Sequence, residues 1–262
     1  VLALIVGSAV LAPFVAPHDP LDQRILDRLK PPALAGGWSG YLLGTDAVGR
    51  DMLSRIIYGG RISLIVGLSA VMIGGAIGLT LGLLSGYYGA AVDMLIMRVA
   101  DLQLAIPFLV LAIAIITALR SGLLSIVLVL GLSSWVTYAR VARGQVLATR
   151  QRDFVEAARA LGGSEARVVM RHVLPNIIAP VIVVATLEIG RMILAEAALS
   201  FLGLGVQPPA PTWGGITADG RDYLGTAWWI STLPGVAILL TVMAINFVGD
   251  WLRDVLDPTT TL

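Results

Sequence analysis

No cysteine occurs among the 262 residues, so disulfides, thiolate metal ligands and cysteine nucleophiles are excluded. Histidine is almost as scarce. His18 and His172 stand far apart in the chain, which rules out an HExxH zinc helix or a local histidine cluster. The single lysine, Lys30, is followed by Pro31, so a phosphate-cradling GxxxxGKS/T loop cannot form and the chain is not expected to hydrolyse ATP itself. A GxSxG nucleophile elbow is missing too. The largest deficit is charge: 13% of residues are charged, where soluble domains carry about 25%. With 57% hydrophobic residues and a mean hydropathy of +0.86, the chain is built for lipid and is neither a disordered segment nor a soluble enzyme. A net charge of +1 gives no electrostatic case for nucleic acid.

What the sequence has instead is long uncharged runs. Residues 62–86 carry no charge over 25 positions, more than the roughly 20 that a membrane helix needs. Gly74, Gly78, Gly82 and Gly86 recur there at every fourth position, a small-residue stripe that lets a neighbouring helix come close. Further spans are predicted over 94–119 (interrupted by Pro107), 123–142, 177–199 and 228–252. Trp228, Trp229 and Trp251 sit at the two ends of the last one, as interfacial anchors do. Arg98 and Asp101, three apart, are placed to pair on one helix face. The first apolar run, 1–16, covers about 24 Å at ~1.5 Å per residue, short of the ~30 Å hydrocarbon core. It reads as part of a first membrane helix, since the basic segment that precedes a signal-peptide core is missing. Nothing alternates with period two at ten-residue spacing, which argues against a membrane β-barrel. The expected fold is an all-α polytopic membrane protein of about six transmembrane helices. It divides into a first helix (1–16), an external loop (17–61) and a membrane core (62–262).

Orientation follows from the arginines. Between 140 and 171 seven Arg face three acids, a net of +4, whereas the loop after the fifth span holds Arg221 against Asp219 and Asp222, a net of −1. The positive-inside rule puts the Arg-rich loop, 143–176, in the cytoplasm. Six spans then place both termini there and 17–61 outside. That outer loop is rich in Pro and Gly, and six basic residues nearly balance five acidic ones.

The Arg-rich loop carries the most specific signal. Asp153 is placed to cap a helix with Glu156 as its third residue, Ala157, Ala158, Ala160 and Leu161 are good helix formers, and Gly162 supplies the left-handed stop. Ser164 starts a second helix that is predicted to end at Leu174-Pro175. A short exposed helix of small residues cannot build a core; it permits close docking on another protein.

Glu156-Ala157-Ala158, three further residues, then Gly162, with Leu174-Pro175 beyond, resembles the EAA motif of permease subunits of bacterial ABC importers. Other segments narrow the resemblance to the C-type subunit of the dipeptide/oligopeptide/nickel permeases. These are Leu43-Gly44-Thr45-Asp46, Gly49-Arg50-Asp51, Leu53-Ser54-Arg55, Gly60 to Leu64, Ala195 to Gly205, and Pro211 to Gly214. The resemblance implies a type I ABC importer permease fold and a transport subunit rather than an enzyme. It implies a coupling helix that docks on an ATPase subunit through Asp153, Glu156, Ala157, Ala158, Leu161 and Gly162. It further implies a paralogous second permease subunit, two ATPase subunits that hold ATP and Mg, an external substrate-binding protein, and a place in the bacterial inner membrane. No cofactor is expected on this chain.

Charges inside predicted spans are functional candidates by default. Glu188 and Arg191 are placed three apart on one face, while Glu196 has no partner near it in sequence. Two readings stand: these residues line the translocation pathway, or they form a buried ion pair or subunit contact. A stand-alone secondary transporter would show inverted repeats or a charged relay through several spans, and neither is seen. The cargo is expected to be short peptides, with a nickel chelate or a glutathione-like compound as same-family alternatives.

Overall fold

Four of the apolar runs, 62–86, 123–142, 177–199 and 228–252, fold into helices that are longer than the runs themselves. The computed structural model describes residues 1–33, 36 and 40–256; residues 34, 35 and 37–39 of the predicted external loop and 257–262 of the predicted core lie outside the described residues. After two short helices, α1 (Leu2–Val10) and α2 (Ala12–Val15), helix α3 runs from Met52 to Tyr88, 37 residues. At ~1.5 Å per residue it measures roughly 55 Å and so passes well beyond a ~30 Å hydrocarbon core. Its start is fixed by Asp51, whose Oδ2 accepts the Ser54 backbone N–H (3.0 Å) and the Ser54 hydroxyl (2.6 Å). Helix α6 (Leu123–Thr149) and helix α11 (Trp229–Leu256) are further spans of 27 and 28 residues.

The interruption expected at Pro107 is a sharp one: α4 (Ala90–Ala105) and α5 (Phe108–Leu119) are bent by 93°. Ile106, forced out of the helical region by the following Pro107, is extended at φ −92°, ψ 122°. One expectation needs correction: no helix ends at Leu174-Pro175. Helix α8 (Glu165–Val168) passes through a π turn (Val169–Val173) into α9 (Leu174–Phe201), giving one apolar stretch from Glu165 to Phe201. Pro175 has no N–H to offer the preceding turn. The wider turn absorbs that break, and Asn176 Nδ2 donates to the His172 carbonyl at 2.7 Å. Among the described residues, four helices are long and apolar enough to span, or five when the bent pair counts as one, against about six predicted.

The chain divides into two compact units. One comprises residues 1–68, 113–127 and 190–245. Its core gathers Met52, Ile216, Ala227, Trp229 and Ile230, with Leu29, Leu43 and Ile56 against it. Short helix α10 (Trp213–Asp219) begins at Thr212, whose hydroxyl accepts the Gly215 N–H at 3.0 Å. Trp229 Nε1 donates to the Thr45 carbonyl at 3.0 Å, and Trp213 Nε1 to the Ile56 carbonyl at 2.9 Å. Each indole thus has a partner for its single donor.

The other unit comprises residues 69–112, 128–189 and 246–262. Here the glycine stripe meets α6. A Cβ at Gly74 would overlap Ser134 and one at Gly78 the Trp135 carbonyl; at Gly82 it would lie 2.7 Å from Ala142 Cβ, and at Gly86 2.8 Å from Val146 Cβ. Each step of four along α3 is matched by a similar step along α6, so backbones approach as small-residue seams allow. Polar clamps sit beside the seam. Arg143 grips Asp93 through two bonds of 2.5 and 2.6 Å, and Gln103 accepts from Trp135 Nε1 at 2.6 Å while donating to the Leu132 and Ser133 carbonyls. Asp101 pairs with Arg140 at 2.7 Å, in place of the expected Arg98.

Candidate coupling helix and buried carboxylate cluster

Helix α7 spans Asp153–Ala160, where the sequence placed it, but its cap is Arg152 and no side chain caps it by hydrogen bonding. Asp153 and Glu156 instead lie in the first turn, where carboxylates favour the positive end of the helix dipole. The C-terminal end matches the expectation. Gly162 has φ +82°, the Gly163 N–H reaches the Ala158 carbonyl at 3.1 Å and the Gly162 N–H reaches Arg159 at 2.9 Å, a complete Schellman closure. No neighbour crowds Gly162, so the positive φ alone calls for glycine there.

The mount of α7 is apolar. Val155 is fully buried in a cluster with Tyr87, Val146, Val168, Val169, Val173 and Ile177. Burying a valine side chain contributes about 1.5–3 kcal/mol. The Arg159–Glu165 contact, 3.7 Å between partly exposed side chains, falls in a class worth only about 0–1 kcal/mol. Packing therefore holds the helix, and the polar contacts orient it. Tyr87 donates its hydroxyl to Glu165, the Arg159 guanidinium lies 5.3 Å from the Tyr87 ring centre, and Arg150 Nη1 covers the Gly86 and Tyr87 carbonyls at the end of α3.

Opposite this mount α7 shows a bare face. Asp153, Glu156, Ala157 and Gly162 are exposed, Leu161 is 89% exposed, and Phe154 is 41% exposed. Phe154, Ala157 and Leu161 recur at helical spacing and form a short apolar strip beside two carboxylates. Ala158, grouped with Ala157 by the motif, turns the other way: it is half-buried against the valine cluster. Phe154 was missed in the sequence, although its place beside Asp153 marked it as exposed once the helix phase was fixed.

The three charges that the sequence places inside spans are divided between the two units. Glu188 is buried in the unit containing α7, whereas Arg191, exposed, and Glu196, fully buried, belong to the other. The hydrogen-bond partners of Glu196 are hydroxyls. Ser200 Oγ, one turn on, donates to Oε1 at 2.7 Å, and Ser63 Oγ of α3 donates to Oε2 at 3.0 Å. Ser63 in turn accepts the Trp213 N–H at 3.3 Å, and the Thr212 hydroxyl donates to Ser200 at 3.5 Å. Every donor points along the chain of hydroxyls toward the carboxylate, an acceptor-only group when ionised. Ser200 corrects the expectation that Glu196 has no partner near it in sequence. No group of His, Asp and Glu suited to a metal ion occurs among the described residues.

An exposed helix closed by a Schellman glycine is thus presented between two apolar spans, α6 and the stretch from Glu165 to Phe201. The chain belongs to the family of binding-protein-dependent transport system inner membrane components, whose model matches residues 78–262. Within it, the chain is a C-type permease of the dipeptide/oligopeptide/nickel group. It is 49% identical to the di/tripeptide transport system permease protein DppC of Pseudomonas aeruginosa strain UCBPP-PA14, over 98% of this chain and 85% of that protein. It is 47% identical to the dipeptide transport system permease protein DppC of Escherichia coli K12, over 98% and 86%. A chain of the MetNI methionine ABC transporter, in an inward-facing structure, shares the fold at a TM-score of 0.66 and 21% identity, over 79% of this chain and 98% of that one. The chain is therefore a multi-pass inner-membrane ABC permease.

Proposed function

We propose that this chain is one of two paralogous membrane halves of an ATP-driven importer for short peptides, and that α7 is the element through which separate ATPase subunits drive it. The observation that carries the reading is the face of α7: Phe154, Ala157 and Leu161 stand bare beside Asp153 and Glu156 on a helix whose other side is locked into the valine cluster. An apolar strip held rigid in this way loses little conformational entropy on docking. ATP and Mg bind on the ATPase subunits. An external binding protein hands the cargo over, and closure of the ATPase pair moves α7 and with it α3 and α9. The arginines of 143–176 favour the cytoplasmic side for this loop, and six spans would put both termini there as well. The di/tripeptide and dipeptide transport of the relatives at 49% and 47% identity supports peptides as cargo.

The test is reconstitution. Membranes holding this chain with its neighbouring permease, ATPase and binding-protein subunits should take up a labelled dipeptide only when ATP is supplied, and the ATPase subunit should co-purify with this chain. ATP-independent uptake by this chain alone would return the secondary-transporter reading. Uptake of a nickel chelate in preference to any peptide would move the cargo assignment within the same family.

A further inference from the structure

Beside α10 lies a cleft of about 320 Å³ whose floor is an ion-pair cluster. Asp46, 2% exposed, is its fixed anchor: it accepts from the Val48 and Arg50 N–H groups at 2.9 Å, from Arg50 Nε at 2.6 Å and from Arg55 Nη1 at 2.5 Å. The second carboxylate, Asp219, is different. Its side chain is 51% exposed, yet it bridges the same two arginines, at 3.0 Å from Arg55 Nη2 and 3.6 Å from Arg50 Nη2. Arg55 lines the cleft, is 4% exposed, and keeps a buried Nε–H with no hydrogen-bond partner. The opposite wall is the turn 203–211, with apolar proline faces and Gln207 tied to the Gly203 and Gly205 carbonyls.

Two guanidiniums thus share one buried and one solvent-facing carboxylate, and the solvent-facing one is exchangeable. We infer that this cleft receives a short peptide as a zwitterion: the peptide's α-carboxylate takes the place of Asp219 on Arg50 and Arg55, and the released Asp219 takes the peptide's α-ammonium. The exchange keeps the cluster neutral, as it is when Asp219 closes it, so neither state buries an uncompensated charge. Guanidinium–carboxylate recognition is the geometry arginine supports best. A volume near the lower end of the ~300–1,000 Å³ range of ligand sites suits two or three residues with free ends, and the proline wall offers apolar surface to variable side chains. This inference rests on the reading of the chain as a peptide permease and adds to it a site on the permease itself, specific for free termini.

The natural absence of cysteine supplies the test. Ala210→Cys places a single thiol of this chain on the rim of the cleft, and its labelling by a maleimide is followed in the complete importer, without binding protein, in the presence of Ala-Ala, N-acetyl-Ala-Ala or Ala-Ala-amide. Ala-Ala should slow labelling about threefold when present at roughly twice its dissociation constant; neither blocked peptide should do so at the same concentration. Adding Asp219→Asn, at a half-exposed position, should bring protection by Ala-Ala down to that by N-acetyl-Ala-Ala. Equal protection by all three peptides, no protection by Ala-Ala, or a thiol closed to the reagent in the assembled importer would each overturn the inference. ATP-dependent uptake of Ala-Ala by the unmodified importer is measured alongside. If uptake is present and protection absent, the cleft assignment fails alone; if uptake is absent, the peptide-importer reading fails.

Discussion

The tripeptide Glu-Ala-Ala occurs twice in this chain, at 156–158 and at 196–198, and the fold treats the two copies oppositely. Glu156 is exposed on an eight-residue helix between arginines; Glu196 is fully buried in a 28-residue apolar helix and is held by Ser63 and Ser200. The three letters therefore decide nothing by themselves. In the first copy the flanks decide: Asp153 and Arg159 keep the helix wet, Val155 anchors it, and Gly162 ends it. In the second, an apolar helix leaves the carboxylate no water, and burial is tolerated only because hydroxyls from two other turns converge on it. The same tripeptide displays a docking face in one place and ties α3 to α9 and α10 in the other.

The sharpest way to break this comparison is to remove both glutamates in turn. Glu196→Ala leaves a cavity and two hydroxyls without their acceptor, a loss of about 2–5 kcal/mol, whereas Glu156→Ala should stay within about 0.5 kcal/mol of the parent. Thermal unfolding in detergent should separate them clearly, and equal midpoints would sink the contrast. Within the first copy, the two alanines should also part. Ala158→Trp forces a ring into the valine cluster and should cost about 1–3 kcal/mol; Ala157→Trp should leave the midpoint unchanged and reduce recovery of the ATPase subunit in a pull-down. If the two tryptophans behave alike, the helix phase described above is wrong.

Gly162→Val tests the closure of α7. A β-branched residue at φ +82° carries local strain of about 1–3 kcal/mol. Since nothing crowds the position, Gly162→Asn, which tolerates the left-handed region, should recover most of the lost ATPase recovery. The smallest expected effect concerns Asp27, outside both copies. Hydrogen bonds from Lys30 first and Tyr41 second hold its carboxyl below the ordinary aspartate range. A depressed folded-state pKa means that its contribution is fully present above the unfolded value of about 3.9 and is lost as pH falls through the lower folded one. Backbone protection of the 24–30 segment should accordingly stay flat between about pH 5 and 8 and weaken only in stronger acid. A transition near neutrality would contradict that assignment.

Much of this was legible in the sequence where the signal is local and periodic. The glycine stripe of 74–86 met a partner helix, Gly162 stopped α7 in the left-handed region, and Pro107 interrupted its span. What stayed hidden was of two kinds. Some of it is phase: that Arg152 rather than Asp153 caps α7, and that Ala158 faces inward, depends on one residue of helix register. The rest is long-range. Ser63 and Glu196 lie far apart in the chain, as do Arg55 and Asp219, and Asp101 chose Arg140 over the nearer Arg98. Continuity through Leu174-Pro175 was lost because a proline reads as a stop, whereas a π turn and the Asn176 side chain carry the helix across it.

The central claim is that the bare strip of α7 is where the ATPase subunit seats, and a single thiol at its most exposed position reads this directly. Leu161→Cys, in a chain with no other cysteine, should react rapidly with a maleimide when the permease subunits are purified without their ATPase. In the complete importer the same thiol should be shielded, and a short bifunctional reagent should join it to the ATPase subunit. Equal labelling in both preparations, with no cross-linked product, would mean that α7 is a connector between two spans and that the drive enters the bundle elsewhere.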